Sequence, residues 1–359
     1  MPQIEIISFE ETIEDSARFT RRHLLLGNGF SIACKPDIFQ YNSLFEQADF
    51  SKSPRLKNVF DAVGTTDFER VIKMLEDASR IVSLYSEEDD KAPAQMQDDA
   101  RRLKDILIRT IACNHPDVPN DIPDEKFRAC RRFLSHFLGK GNNGGKVYTL
   151  NYDLLLYWAL MHDDPEGEEL DLETNDGFGR DGSEQEDYVV WLGESSAHHQ
   201  RVHYLHGALH LFDAGAELQK YTWINTGVPL LEQARNAMDQ NKFPLFVAEG
   251  DSEQKLEKIH HSSYLHHSYK SFSAQMNQRN QSLFIFGHSL AENDQHVLKK
   301  IEQGRVPQIY VGLYGDSGSE NNRHIIAAAY ALSERRDDQN PLAVSFFDAA
   351  SANVWEDAS

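Results

Sequence analysis

His23-Leu24-Leu25-Leu26-Gly27-Asn28-Gly29-Phe30-Ser31 is the stretch whose reading decides the fold. A short apolar run passes directly into Gly-x-Gly and then into residues of helical character. Strands covered on both faces have this near-continuous apolar composition. In α/β folds a glycine turn at the strand's carboxyl end lets backbone approach a phosphate, and the following helix start faces the anion. Ile32 stands where the dinucleotide fingerprint has its third glycine, so this is not the turn of a standard dehydrogenase. A tight turn needing positive φ at glycine explains the same residues equally well.

Outward from this stretch the pattern repeats. Residues 146–150, 202–205, 245–248, 283–286, 308–313 and 343–347 read as further short, apolar strands. Between them, 67–84, 100–112, 126–138, 229–238, 295–301 and 322–332 read as helices. In the first of these, Phe68, Val71, Ile72, Leu75, Ala78 and Val82 share one face, and Asp67 suits its N-cap. Strands alternating with helices imply one α/β domain over 1–359, with a doubly wound, mainly parallel, Rossmann-like sheet. Two departures stand out: a helical insertion over 42–140, after the first βα unit, and an acidic segment over 163–200. From Asp163 to Asp187 there are twelve Asp and Glu against one Arg, which reads as a solvated, flexible loop. Asp171, Glu173 and Asn175 alternate as in a calcium loop, but Asp176 takes the place of its glycine, so the match fails.

The 359 residues carry a net charge of −21, a field that repels nucleic-acid backbones and leaves no expectation of direct nucleic-acid binding. No apolar run reaches membrane-spanning length, and the N-terminus lacks a basic region leading into an apolar one. Cys34, Cys113 and Cys130 are too few and too scattered for a disulfide framework or a four-cysteine zinc site. A cytoplasmic location is expected.

Four strand ends carry chemistry. The first is the Gly27 turn. The second is Asn151-Tyr152-Asp153, where helix capping accounts for one polar residue and leaves the other unexplained. The third is His206-Gly207, whose imidazole titrates nearest neutral pH. The fourth is Gly287-His288-Ser289, followed by Asp294, which is either a ribose ligand or an N-cap.

Together, in this order, they resemble the sirtuin superfamily, in which Gly-Ala-Gly-x-Ser, Asn-x-Asp, His-Gly and Gly-x-Ser follow one another. The Asn-Tyr-Asp form is similar to the bacterial sirtuin-like proteins that degrade NAD⁺ in anti-phage defence. The resemblance implies an NAD⁺ glycohydrolase that takes NAD⁺ as substrate, with no metal expected. It implies that Asn151 orders water and ribose, that Asp153 bonds the carboxamide, and that His206 is the base. The turn Gly27-Asn28-Gly29-Phe30-Ser31 would take the diphosphate, and Gly287, His288, Ser289 and Asp294 the adenosine side. Residues 30–39 would form a flexible flap, with Asp37 and Phe39 near the nicotinamide. Asn28 replaces the family's alanine, and the deacetylases' zinc module cannot be built, which turns the expectation from acetyl-lysine toward water.

Three other readings stay open. The same motifs suit a sensor that binds NAD⁺ or ADP-ribose without turnover. Clustered histidines (His198, His199, His203, His206, His210, His260, His261, His266, His267) suggest a metal-dependent hydrolase, although a strand over 202–205 sets His203 and His206 on opposite faces. Apolar helices in the insertion would also suit an assembly scaffold, as a homo-oligomer or with a partner from a defence operon. Glu249 ends one strand, where a surface turn is the simpler reading than a place in the site, and Lys220, in the β-excursion expected after His206-Gly207, has no assignable role.

Overall fold

A computed structural model of the chain describes residues 4–85, 91–140, 143–162, 170–179, 188–194, 199–215, 217–222, 227–240, 242–248 and 252–356. Its strands are β1 (Ile6–Ile7), β2 (Arg21–Leu26), β3 (Asn143–Thr149), β4 (Phe178–Gly179), β5 (Tyr188–Trp191), β6 (Val202–Tyr204), β7 (Gly207–Asp213), β8 (Leu218–Tyr221), β9 (Pro244–Phe246), β10 (Gln281–Phe286), β11 (Gln308–Leu313) and β12 (Ala343–Asp348). Seven form an all-parallel sheet in the spatial order β1, β12, β11, β10, β2, β3, β6.

Both faces of this sheet are covered, which explains why its strands are apolar throughout. Side chains of a strand alternate between faces. Phe284 and Phe286 of β10 pack with Leu24 and Leu26 of β2 in one core, beside Phe133 and Phe137 of the helix Asp124–Leu138. Leu283, Ile285 and Leu25 face the opposite core, with Phe272 and Met276 of the helix Ser263–Met276 and Ile325 of the helix Glu320–Glu334. This is the α/β, doubly wound arrangement.

Topology and register position the site. From β2 the chain proceeds outward to β3 and β6, then returns to the other side of β2 at β10 and proceeds outward through β11 and β12. The carboxyl ends of β2 and β10 therefore flank the switch point, where open α/β sheets form a crevice. Leu26 is level with Phe286 and with Thr149, and Thr149 with Tyr204. The four polar motifs consequently begin side by side, at Gly287, Gly27, Leu150 and Leu205.

The described residues from 42 to 140 form helices and turns, with an isolated bridge from Gly139 to Leu172. The helix Phe68–Val82 starts at Asp67, whose carboxylate accepts from the Arg70 N–H at 3.2 Å. It packs along the 23-residue helix Ala92–Asn114. The helix Asp124–Leu138 lies against β2 and β3, so it belongs to the layer that covers the sheet.

Two expectations need correction. Residues 245–248 do not extend the parallel sheet: β9 runs antiparallel to β7, in a second sheet ordered β4, β5, β8, β7, β9. The chain leaves the parallel sheet at Gly207, where φ is +81° and a side-chain carbon would collide with the Leu245 carbonyl, so only glycine fits. The acidic segment is not wholly a loose loop either. Phe178, Tyr188, Val190 and Trp191 supply two strands of the second sheet, β4 at its edge and β5 beside it, and Asp176 is buried against Lys220 at 2.6 Å. The average charge of the segment concealed these few apolar residues. Its stretches 163–169, 180–187 and 195–198 lie outside the described residues, as do His198 and Glu249. Among the described residues no helix is long and apolar enough to cross a membrane.

Candidate functional site

At the switch point the two loops meet backbone to backbone. Gly27 N–H donates to the Phe286 carbonyl at 3.0 Å and Gly29 N–H to the Gly287 carbonyl at 2.8 Å. A side-chain carbon on Gly27 would sit 2.7 Å from the Gly287 carbonyl oxygen, and one on Gly29 would sit 2.5 Å from Gly287 Cα. These glycines are required because loop meets loop. The N–H groups of Phe30, Ser31 and Ile32 are also paired, with the carbonyls of Gly27 and Asn28. In this arrangement the Gly27 and Gly29 amides cannot cradle a diphosphate as expected, because protein carbonyls already occupy them.

The expected flap is two short helices, Gly29–Cys34 and Pro36–Phe39, tied down by Asn28 Nδ2, which donates to the Phe39 carbonyl at 3.0 Å. Phe30 is fully buried, 5.1 Å from the Trp355 ring, and its carbonyl accepts from Trp355 Nε1. Ser31 is buried and Asp37 is exposed; neither they nor Phe30 line the cleft. Their place in a ligand site is corrected accordingly.

The loop after β3 is bonded onto this turn. Asn151 Nδ2 donates to the Gly27 carbonyl at 3.1 Å and to Ser31 Oγ at 3.0 Å. Ser31 Oγ donates to Asp153 Oδ2 at 2.5 Å, and Asp153 Oδ1 accepts from the Leu155 N–H at 2.9 Å. Burial pushes the Asp153 carboxyl above its ordinary range, against the pull of Ser31. Asn151 Oδ1 receives no donor among the described residues.

His206 closes the far side. It is 2% exposed, with Nε2 3.0 Å from His296 Nε2 and 4.0 Å from Asp294 Oδ1. Burial drives its pKa well below the usual value, with Asp294 opposing, so the imidazole is neutral. Asp294 makes no cap bond to the helix Gln295–Glu302 that follows it. Its Oδ1 instead accepts from Lys255 Nζ at 3.0 Å, and its Oδ2 is 3.0 Å from His288 Nε2. The Leu290 N–H donates to His288 Nδ1, so Nε2 carries the proton given to Asp294. Burial alone would raise the Asp294 carboxyl; Lys255 and His288 hold it well below the ordinary range. Lys255, 1% exposed, also donates to Glu69 Oε2 at 2.8 Å. Burial works to lower its pKa, but the two carboxylates outweigh that and raise it, so it stays charged.

These groups surround a cleft of about 1170 Å³. Of the expected residues, Gly27, Asn28, Gly29, Phe39, Asn151, Asp153, His206, Gly287, His288, Ser289 and Asp294 line it together. Sequence reasoning missed Glu69, Lys255, His296 and Tyr152, whose ring lies 6.3 Å from His206. Glu69 reads as an ordinary first-turn acid and Lys255 as a surface lysine. No local signal reveals that 186 positions of chain separate two ion-pair partners.

The clustered histidines form no single group: the ring of His203 lies 6.2 Å from that of His267, and the ring of His260 lies 5.2 Å from that of His266. His203 stacks on Tyr148 at 4.9 Å and His210 packs on Tyr157 at 4.7 Å, apart from His206. Ligand atoms of His206, Asp294 and His296 lie within 4.8 Å of one another, close enough to share a metal ion. The Lys255 ammonium already engages that Asp294 oxygen, so a divalent cation there would face a buried positive charge. The described cysteines Cys34 and Cys130 are buried and Cys113 is exposed, all unpaired.

The chain belongs to the family described as a domain of unknown function, DUF4917, which matches residues 24–355 and so takes in every group described above. No curated protein matches the chain.

Proposed function

We propose that the cleft binds NAD⁺ and cleaves its nicotinamide–ribose bond with water. The supporting observation is the joint presence of Asn151 and His206, from the ends of two different strands, in the wall of one cleft at the switch point. In the reaction the C1′–N bond breaks and its electron pair returns to the pyridinium ring, which leaves as neutral nicotinamide. A water oxygen bonds to C1′, and the proton it loses passes to His206. The products are nicotinamide and ADP-ribose.

The chemistry suits these groups. The leaving group needs no proton, so a weakly basic imidazole suffices to receive one from water late in the step. Positive charge builds on the sugar, and the ionised Asp294, 4.0 Å from His206 Nε2, lines that end of the cleft. When His206 Nε2 donates to His296 Nε2, Nδ1 is left as the acceptor. Asn151 Oδ1 takes a hydrogen bond from the attacking water or a ribose hydroxyl.

A second reading is a sensor that holds NAD⁺ or ADP-ribose without turnover; the depression of the His206 pKa favours it. Chromatography of NAD⁺ after incubation with the purified chain separates the two. Nicotinamide and ADP-ribose are expected in equal amounts. Intact NAD⁺ with ligand-induced thermal stabilisation supports the sensor. Neither product nor stabilisation rejects both.

A further inference from the structure

Charge is distributed unevenly around the cleft. Six carboxyl groups line it, from Asp67, Glu69, Asp153, Glu292, Asp294 and Glu356, against two cations, Arg70 and Lys73. Both cations stand on the helix Phe68–Val82, three positions apart and therefore on one face. Neither forms an ion pair among the described residues. In a chain of net charge −21, a doubly charged diphosphate settles only where local cations overcome the surrounding field.

Resting on the reading above, we infer that Arg70 and Lys73 form the phosphate site of this cleft and take the diphosphate of a dinucleotide or nucleoside diphosphate. The glycine turn is unsuited to that task, because the Gly27 and Gly29 N–H groups donate to Phe286 and Gly287. The guanidinium offers a planar fork of donors that matches two phosphate oxygens, and the ammonium adds a point charge beside it. The arrangement also orients the ligand. Its anionic middle lies against the helical insertion, and its cationic nicotinamide end lies toward His206 and Asp294, 4.0 Å apart, so that Asp294 serves the reacting end and not the adenosine side that the resemblance implies. The insertion, whose described residues contribute no strand, thus supplies the recognition of phosphate.

The test compares wild type, Arg70→Gln, Lys73→Gln and the double variant on NAD⁺ and on nicotinamide riboside, which has the scissile bond and no phosphate. KM for NAD⁺ should rise roughly tenfold or more per charge removed, with kcat and both constants for nicotinamide riboside changed by less than about twofold. Equal effects on the two substrates, or none on NAD⁺, overturn the inference. Calorimetric titration with ADP-ribose and with inorganic pyrophosphate gives a readout without turnover. If NAD⁺ is not cleaved but ADP-ribose binding is lost in the double variant, the hydrolase reading fails and the phosphate site stands. If wild type and double variant bind ADP-ribose equally, the phosphate site fails whatever the turnover. If wild type binds neither ligand, both fail.

Discussion

Lys255 Nζ lies 3.0 Å from Asp294 Oδ1 and bridges that carboxylate to Glu69. One buried ammonium thus joins the helical insertion to the loop beyond β10. Breaking a buried pair leaves charge without compensation and is strongly destabilising. Lys255→Met should lower stability by about 3–5 kcal/mol, measured by urea unfolding, and Glu69→Gln in that background should recover part of the loss. A Lys255→Met protein as stable as wild type would show that the three charges are not in contact.

The contact between the two switch-point loops leaves no room for a methyl group. Gly29→Ala brings a carbon to 2.5 Å from Gly287 Cα. Overpacking of this kind costs about 1–3 kcal/mol, and the shift moves Asn151 with the turn it bonds. A lower unfolding midpoint and weaker ligand binding should appear together. An unchanged midpoint would contradict the close approach.

Ser31 is a link in the chain from Asn151 to Asp153 and does not face the cleft. Ser31→Ala strips a donor from a buried carboxyl, with an expected loss of about 1–3 kcal/mol. Ser31→Thr retains the hydroxyl and should recover part of it. Equal stability of Ser31→Ala and wild type would refute the bridging role.

Acid should destabilise the fold from about pH 6.5 downward, through histidines that are buried in neutral form. Burial depresses the pKa of His23 to about 3 and those of His115 and His296 to about 4. Below pH 6.5 the unfolded chain takes up these protons and the folded chain does not, so stability is full above that value and falls as pH drops toward 4. Each histidine contributes a slope of at most about 1.4 kcal/mol per pH unit. The raised carboxyls of Asp153 and Glu69 work in the opposite sense. The thermal midpoint should decline steadily from pH 6.5 to 4.5; a flat profile would mean that these imidazoles are not neutral in the folded state.

The residues differ in how far the sequence betrays them. The runs ending at Leu26 and Phe286 are apolar at every step because both faces are covered, and that alone announces a parallel sheet. Gly27 and Gly29 announce a backbone that must come close to something; only the fold shows that it is Gly287. Strand β7 opens the β-excursion expected after His206-Gly207, and only the fold shows that one glycine bends it out of the parallel sheet. The helices Ser252–His261 and Ser263–Met276 are rich in Lys, His and Ser, so their buried faces are weakly marked. Asp294 carries the signature of a helix cap, yet its side chain serves Lys255 and His288. Partnerships of that kind depend on residues remote in the chain, which no local pattern encodes.

The most direct measurement is the rate of nicotinamide release from NAD⁺ by wild type, Asn151→Ala and His206→Ala, each checked for ADP-ribose-dependent thermal stabilisation. Release by the wild type, lost by at least about a hundredfold in both variants while stabilisation persists, is the expected result. Undiminished release by either stabilised variant would contradict the assignment of the imidazole and the carboxamide to one reacting sugar.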